Sequence, residues 1–142
     1  MSTPVARRHR AAFRLLLRLW WLLLGVDVAL RLSSLRTLRR FIPAVDEEGP
    51  WQAEDFAEAD RLCRLAAVAG HHHLYPMRCL VQALAVELVL ARRGRAVELR
   101  IGVRRDHDRL AAHAWLEHDG SVLGDAADVS GYAPLGSVGA PS

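Results

Sequence analysis

The chain has 142 residues, 51% of them hydrophobic, and a formal charge of +3. That suits one domain with a modest core plus a short appendage, and it excludes a disordered tail or a multi-span membrane protein. Arginines gather in the first forty residues and again from Arg92 to Arg105, yet no aromatic-studded basic stripe or zinc-finger spacing accompanies them, which argues against nucleic-acid reading. Two cysteines, Cys63 and Cys79, are too few for a disulfide framework and fit a reduced, cytoplasmic protein.

The first element, "RAAFRLLLRLWWLLLGVDVALRL", superficially suggests a signal peptide or a membrane span. Its longest uncharged run, Leu19 to Val26, is far short of the ~20 residues a spanning helix needs. Arg14, Arg18, Asp27 and Arg31 would each cost roughly 2.5–3.5 kcal/mol at mid-bilayer. No small-x-small cleavage site follows, which argues against secretion. The favoured expectation is a helix buried against the rest of the domain and bent at Gly25; a partner groove or membrane contact is disfavoured.

Residues 33–50 read as a short helical turn and a linker punctuated by Pro43, Gly49 and Pro50. Residues 53–69 place Phe56, Ala59, Leu62, Cys63, Ala66 and Ala69 at helical spacing, with Gly70 as the stop. Cys63 lies on that apolar face and reads as a small core residue. The tract His71–His73 then raises the question of a metal. Adjacent histidines diverge and no second ligand cluster at zinc spacing accompanies them, so neither metal nor cofactor is expected and the tract reads as a polar connector. Pro76 suits a first helical position, since its missing N–H would go unpaired there anyway. The helix that follows carries Leu80, Leu84, Leu88 and Ala91 on one stripe and ends at Gly94. "VELRIGVR" alternates strictly and predicts a half-buried strand. "LAAHAWLEHDGSVLGD" predicts two short strands around an Asp119-Gly120 hairpin turn, with His107 and His118 solvated near turns. From Ala126 onward Gly, Pro, Ser and Ala predict a loose tail. Helices followed by antiparallel strands give an α+β fold class.

Cys79 falls in the first turn of its helix, where unpaired N–H groups and the helix dipole favour a thiolate and a developing oxyanion. The order helix-Cys, strand, strand-His, strand-Asp strengthens a catalytic reading. His113 in "AAHAW" can serve as general base, and Asp125, just past the hairpin, can orient the imidazole. Gln82, one helical turn beyond Cys79, and Trp115 are candidates for substrate contact.

Together, "CLVQALAVELVLARRGRAVELRIGVR" and "AAHAWLEHDGSVLGD" resemble the transglutaminase-like cysteine proteases of lasso-peptide biosynthesis, which remove the leader segment from a ribosomally made precursor. The resemblance runs from about Tyr75 to Asp125, and the apolar, Arg-rich N-terminal helices share it. It implies Cys79 as nucleophile, His113 as base and Asp125 as orienting acid. It also implies a papain-like core in which the Cys helix packs on a small antiparallel sheet. Compact members of this family lack a leader-binding module, which implies a separate leader-recognition protein and a downstream cyclase; the Arg-rich, tryptophan-bearing N-terminal region is the expected docking surface. The expected organisation is N-terminal helices and linker over residues 1–50, the protease core over 51–128 and the tail over 129–142. An acyltransferase with the same triad, and a non-catalytic helical adaptor, are the alternatives.

Register is the strain in this assignment. With a two-residue turn at Asp119-Gly120, Trp115 pairs with Gly124 and Ala114 with Asp125, and Asp125 then points away from His113. A three-residue loop, or a bulge at Gly124, restores it to the His113 face, and such an irregularity is expected. If the simple register holds instead, Asp128 or Glu117 becomes the candidate acid.

Overall fold

The computed structural model describes residues 4–46, 49–73, 78–124 and 129–137. Four helices precede a four-stranded antiparallel sheet: α1 (Pro4–Leu32), α2 (Leu35–Arg39), α3 (Ala53–His71), α4 (Cys79–Arg92), β1 (Glu98–Asp106), β2 (Arg109–His118), β3 (Ser121–Val122) and β4 (Ala133–Ser137), in the order β3-β2-β1-β4. The α+β class expected from the sequence is the class observed.

Local chemistry sets the helix ends. Ser34 caps α2 by accepting the Thr37 N–H at 3.2 Å. At α3 the Asp55 carboxylate accepts the Gln52 N–H at 2.8 Å, and Glu54 and Asp55 place negative charge at the positive end of the helix dipole. Past α4, Gly94 takes φ +74°, a left-handed conformation that lets the Gly94 and Arg95 N–H groups return to the Ala91 and Leu90 carbonyls. Helix α3 runs through Gly70 rather than stopping there. A Cβ at Gly70 would meet Gln82 Nε2 at 2.6 Å, so the glycine serves close packing of α3 on α4.

Helix α4 lies at the centre, against β1 and β2 on one side and α1 and α3 on the other. Val81, Leu84, Ala85, Val86 and Leu90 are all buried, together with Leu19, Leu23 and Val26 of α1, Leu62 and Ala66 of α3, and Leu99, Ala114 and Leu116 of the sheet. The first helix is therefore part of the same core as the rest. It runs without a break through Gly25, where a bend was expected, and only one of its faces is buried; Phe13, Leu17, Trp21, Val28 and Leu32 remain exposed. The reason is its neighbourhood: α1 packs on α2, α3 and α4, all of which meet its inner side.

Two more expectations need correction. Residues 133–137, expected to be loose, form β4 against β1, with Gly102 opposite Pro134 and Val103 opposite Ala133. The outer edge of β1 offers unpaired N–H and C=O groups, and an edge strand tolerates Pro134, which has no N–H to donate. His118, expected to be solvated, is buried. Its ring stacks on Trp51 at 3.9 Å and its Nδ1 donates to the Ala96 carbonyl at 3.0 Å. His107 does sit exposed in a turn, with φ 53°.

Among the described residues, a buried ion pair lies in the core. Glu87 of α4 receives both guanidinium nitrogens of Arg39, each at 2.9 Å, and both residues are buried. Burial pushes the Glu87 carboxyl up, and Arg39 opposes that rise. Arg39→Ala should therefore destabilise the fold by about 3–5 kcal/mol at neutral pH, because it strands a buried carboxylate. In that variant the folded carboxyl takes up a proton more readily than the unfolded one. The stability this provides is present below the unfolded pKa and lost as pH rises through the folded pKa. Urea melts should accordingly show a smaller deficit at about pH 5 than at about pH 7; equal deficits would contradict a charge-burial origin.

Candidate active site

The Asp119-Gly120 turn is the two-residue form. Asp119 and Gly120 take φ 46° and 77°, His118 pairs with Ser121, Glu117 with Val122, and the Leu123 N–H reaches the Leu116 carbonyl at 2.9 Å. The three-residue loop is thus not the one used. The irregularity falls at Gly124, which turns out of the extended conformation with φ +77°. Its N–H donates to Asp60 Oδ1 of α3 at 2.6 Å, so the chain leaves β2 and crosses to α3. Asp125 and Asp128 lie outside the described residues. The third candidate, Glu117, accepts Trp115 Nε1 at 2.7 Å and Arg100 Nε at 3.2 Å. Among the described residues, His113 hydrogen-bonds to no carboxylate.

Because β3 pairs only with the end of β2, the β2 edge from Ala111 to Trp115 has no strand beside it among the described residues. Between that edge, α3 and the start of α4 lies a cavity of about 470 Å³, a volume suited to a small substrate segment. Cys79, Gln82 and Val86 from α4, Cys63, Ala66 and Val68 from α3, and His113 and Trp115 from β2 all line it, with Leu123 and Gly124 closing one end. Residues far apart in the chain thus line one cavity, Cys79 and His113 among them. His113 pairs with Gly102, on the sheet face opposite the core residues Ala114 and Leu116. At an interior strand position its ring would be shut off from α4, and the open edge is what admits it to the cavity.

Cys79 is the first residue of α4, following Arg78 at the N-cap, so the unpaired N–H groups of the first turn lie beside its side chain. Among the described residues, no hydrogen bond joins Cys79 to His113. The second thiol differs. Burial first, and the nearby Asp60 second, push Cys63 up to about 11, so it stays protonated. The sequence reading of Cys63 as a core residue accounts for its packing on the buried cluster, yet not for its place on the cavity wall.

His113 is held below the ordinary histidine value, by burial and then by Arg104 on the neighbouring strand. Tyr132, which the sequence reading left in a featureless tail, sits 5.5 Å from the His113 ring and carries the Arg104 guanidinium over its own ring at 4.8 Å. An isolated aromatic in a Gly-Ser-Pro stretch was its only sequence signal. Trp115 is largely buried. A Cβ at Gly102 would meet its ring at 2.9 Å, so Gly102 is the seat that lets the indole lie flat beside the site. Gln82 lines the cavity as expected. The histidine run supplies no such group. His71 and His72 are exposed and His73 is buried, its ring stacked on Trp20 at 4.2 Å, its Nε2 donating to the Trp20 carbonyl at 3.3 Å. Among the described residues, no three His, Cys, Asp or Glu side chains converge as metal ligands.

Cys79 at a helix start and His113 on a strand line one cavity, and the helix packs on an antiparallel sheet; a thiol and an imidazole are the groups that a nucleophile-and-base pair requires. The family model of the transglutaminase-like superfamily matches residues 20–137, and the chain belongs to that superfamily, whose fold carries cysteine peptidases and acyltransferases. Searches of the curated proteins and of the solved structures found no significant match.

Two outcomes test this geometry. In an NMR titration the His113 ring should titrate below free histidine, and Arg104→Gln should move its midpoint upward, since removing a like charge eases protonation. Gly124→Ala should cost about 1–3 kcal/mol in a denaturant melt, because φ +77° strains any side chain and the new Cβ would meet Cys63 Cβ at 2.6 Å.

Proposed function

We propose that this chain is a cysteine peptidase that removes the leader segment from a ribosomally synthesised lasso-peptide precursor. The observation that carries the reading is the convergence of Cys79, at the first residue of a buried helix, and His113, on an open strand edge, in one cavity. The leader-peptidase specificity rests on the sequence resemblance, in "CLVQALA", "LRIGVR" and "AHAW".

In this mechanism the Cys79 thiolate attacks the amide carbonyl at the leader–core junction. First-turn N–H groups of α4 receive the developing oxyanion. His113, protonated when it takes up the thiol proton, gives that proton to the departing core amine as the C–N bond breaks. Water, deprotonated by His113, then hydrolyses the thioester and releases the leader as a carboxylate. Neutral His113 is the form that must start the cycle, and its lowered value keeps it neutral at physiological pH. Asp125 is the proposed orienting acid; its chain neighbour Gly124 lines the cavity and is tethered there by Asp60. A separate leader-binding protein presents the precursor, a cyclase uses the freed amine, and the reaction takes place in the reducing cytoplasm, where both cysteines stay unpaired.

The test is cleavage of a cognate precursor in the presence of its recognition protein. Cys79→Ala should lose activity by a factor on the order of 10³ or more, whereas Cys63→Ala, which keeps the Cβ packed against Gly124, should retain most of it. Undiminished cleavage by Cys79→Ala would remove the assignment. Product mass separates hydrolysis from transfer, since only hydrolysis adds the elements of water.

A further inference from the structure

Helix α1 has two apolar faces, and the fold uses one. Leu19, Leu23 and Val26 are at most 5% exposed in the core. On the other side Phe13 is 65% exposed, Leu17 48%, Trp21 61%, Val28 42% and Leu32 83%. At 100° per residue these five fall within about 100° of one another, and from Phe13 to Leu32 the stripe is about 28 Å long at 1.5 Å per residue. A continuous exposed apolar stripe of this kind marks an interaction surface.

The stripe's surroundings select the partner. Arg14 and Arg18 are exposed along one edge, Arg10 lies at the near end and Arg31 at the far end. The helix contains a single acid, Asp27, which is buried and paired with Arg31 at 2.8 Å. The outward face therefore has apolar and cationic groups and no anionic one. It also lacks Ser, Thr, Asn, Gln or Tyr side chains, which a specific protein groove would use to fix register. The helix packs on α2, α3 and α4 through its buried face, which leaves the stripe on the outside. Leu, Phe and Trp between flexible arginines are the composition of a helix lying in a lipid interface, with guanidinium groups reaching up to phosphates and the indole N–H at headgroup level. Among the described residues, no helix is long and apolar enough to cross a membrane, so the mode is lying on the surface.

We infer that α1 docks this protein on an anionic lipid surface through Phe13, Leu17, Trp21, Val28 and Leu32, with Arg10, Arg14 and Arg18 contacting the headgroup phosphates. This reverses the expectation, drawn from the sequence, that membrane contact is disfavoured. That expectation assumed a helix buried against the domain, and the structure buries only half of it. The inference does not rest on the peptidase reading, and it assigns to lipid the region that the sequence resemblance offered as the docking surface for a leader-recognition protein.

The full chain is co-sedimented with vesicles of phosphatidylcholine alone and of phosphatidylcholine with phosphatidylglycerol. The expected result is binding to the anionic vesicles, weakened by added salt, and at least tenfold weaker binding to the neutral ones. Leu17→Ser combined with Trp21→Ser should reduce binding tenfold or more without changing the thermal unfolding midpoint, since both side chains are already exposed. Arg14→Gln combined with Arg18→Gln should reduce it roughly 25-fold, given roughly fivefold per basic residue near such a surface. Absence of wild-type binding to anionic vesicles would overturn the inference. So would equal binding of the Leu17/Trp21 variant, or a stoichiometric complex with a soluble protein through this stripe in place of vesicle binding.

Discussion

Everything in this molecule is arranged around burying α4 on all sides. A helix enclosed by a sheet and two other helices must be apolar nearly all round, and Val81, Leu84, Ala85, Val86, Leu90 and Ala91 meet that demand. Glu87 does not, and a lone buried carboxylate would be too costly to keep. Arg39 meets it with a two-pronged hydrogen bond from the far end of the N-terminal segment. The pair thereby ties α2, and α1 before it, to the helix that begins with Cys79. Such a pair is weak evidence for net stability but a strong constraint on arrangement, since only one placement of α2 leaves neither charge stranded.

With α4 held in place, the site depends on what the sheet leaves open. A short β3 and the exit at Gly124 leave part of the β2 edge without a strand, and the cavity forms there. Asp60 draws the departing chain toward α3, and the close fit of Gly124 on Cys63 holds that crossing tight. Two thiols line the cavity from different helices. Cys63 sits mid-helix beside a carboxylate, in surroundings that oppose its ionisation, whereas Cys79 opens its helix with free N–H groups around it. The histidines divide in the same way. His118 and His73 are stacked on tryptophans and bonded to backbone carbonyls, where they join segments together, while His113 has its ring at the cavity.

Much of this was legible from residue order. The 3.6-residue spacing of α3 and α4, the strict alternation of β1 and the Asp-Gly turn are local signals, and each element is found where its pattern lies, although α3 runs past Gly70 and α4 begins at Cys79 rather than at Pro76. Cys79 at a helix start and His113 on a strand were readable for the same reason. Where local pattern failed, a distant partner had intervened. Residues 133–137 have no strand signature of their own, and the free edge of β1 makes them one. His118 looks like a turn residue until Trp51, far back in the chain, covers it.

By itself, then, the sequence determined the order of the elements as far as β3, the α+β class, the helix-start cysteine and the place of the Asp-Gly turn, because each follows from spacing and backbone preference within a few residues. Tertiary structure alone decided which faces found partners. It left the β2 edge open beside His113, placed Cys63 on the cavity wall, brought Tyr132 and Arg104 to the His113 ring, and buried one apolar face of α1 while exposing the other. The physical reason is that burial is a property of pairs of surfaces. A hydrophobic pattern states that a face will seek cover, and only the packed molecule shows whether the cover comes from within the chain.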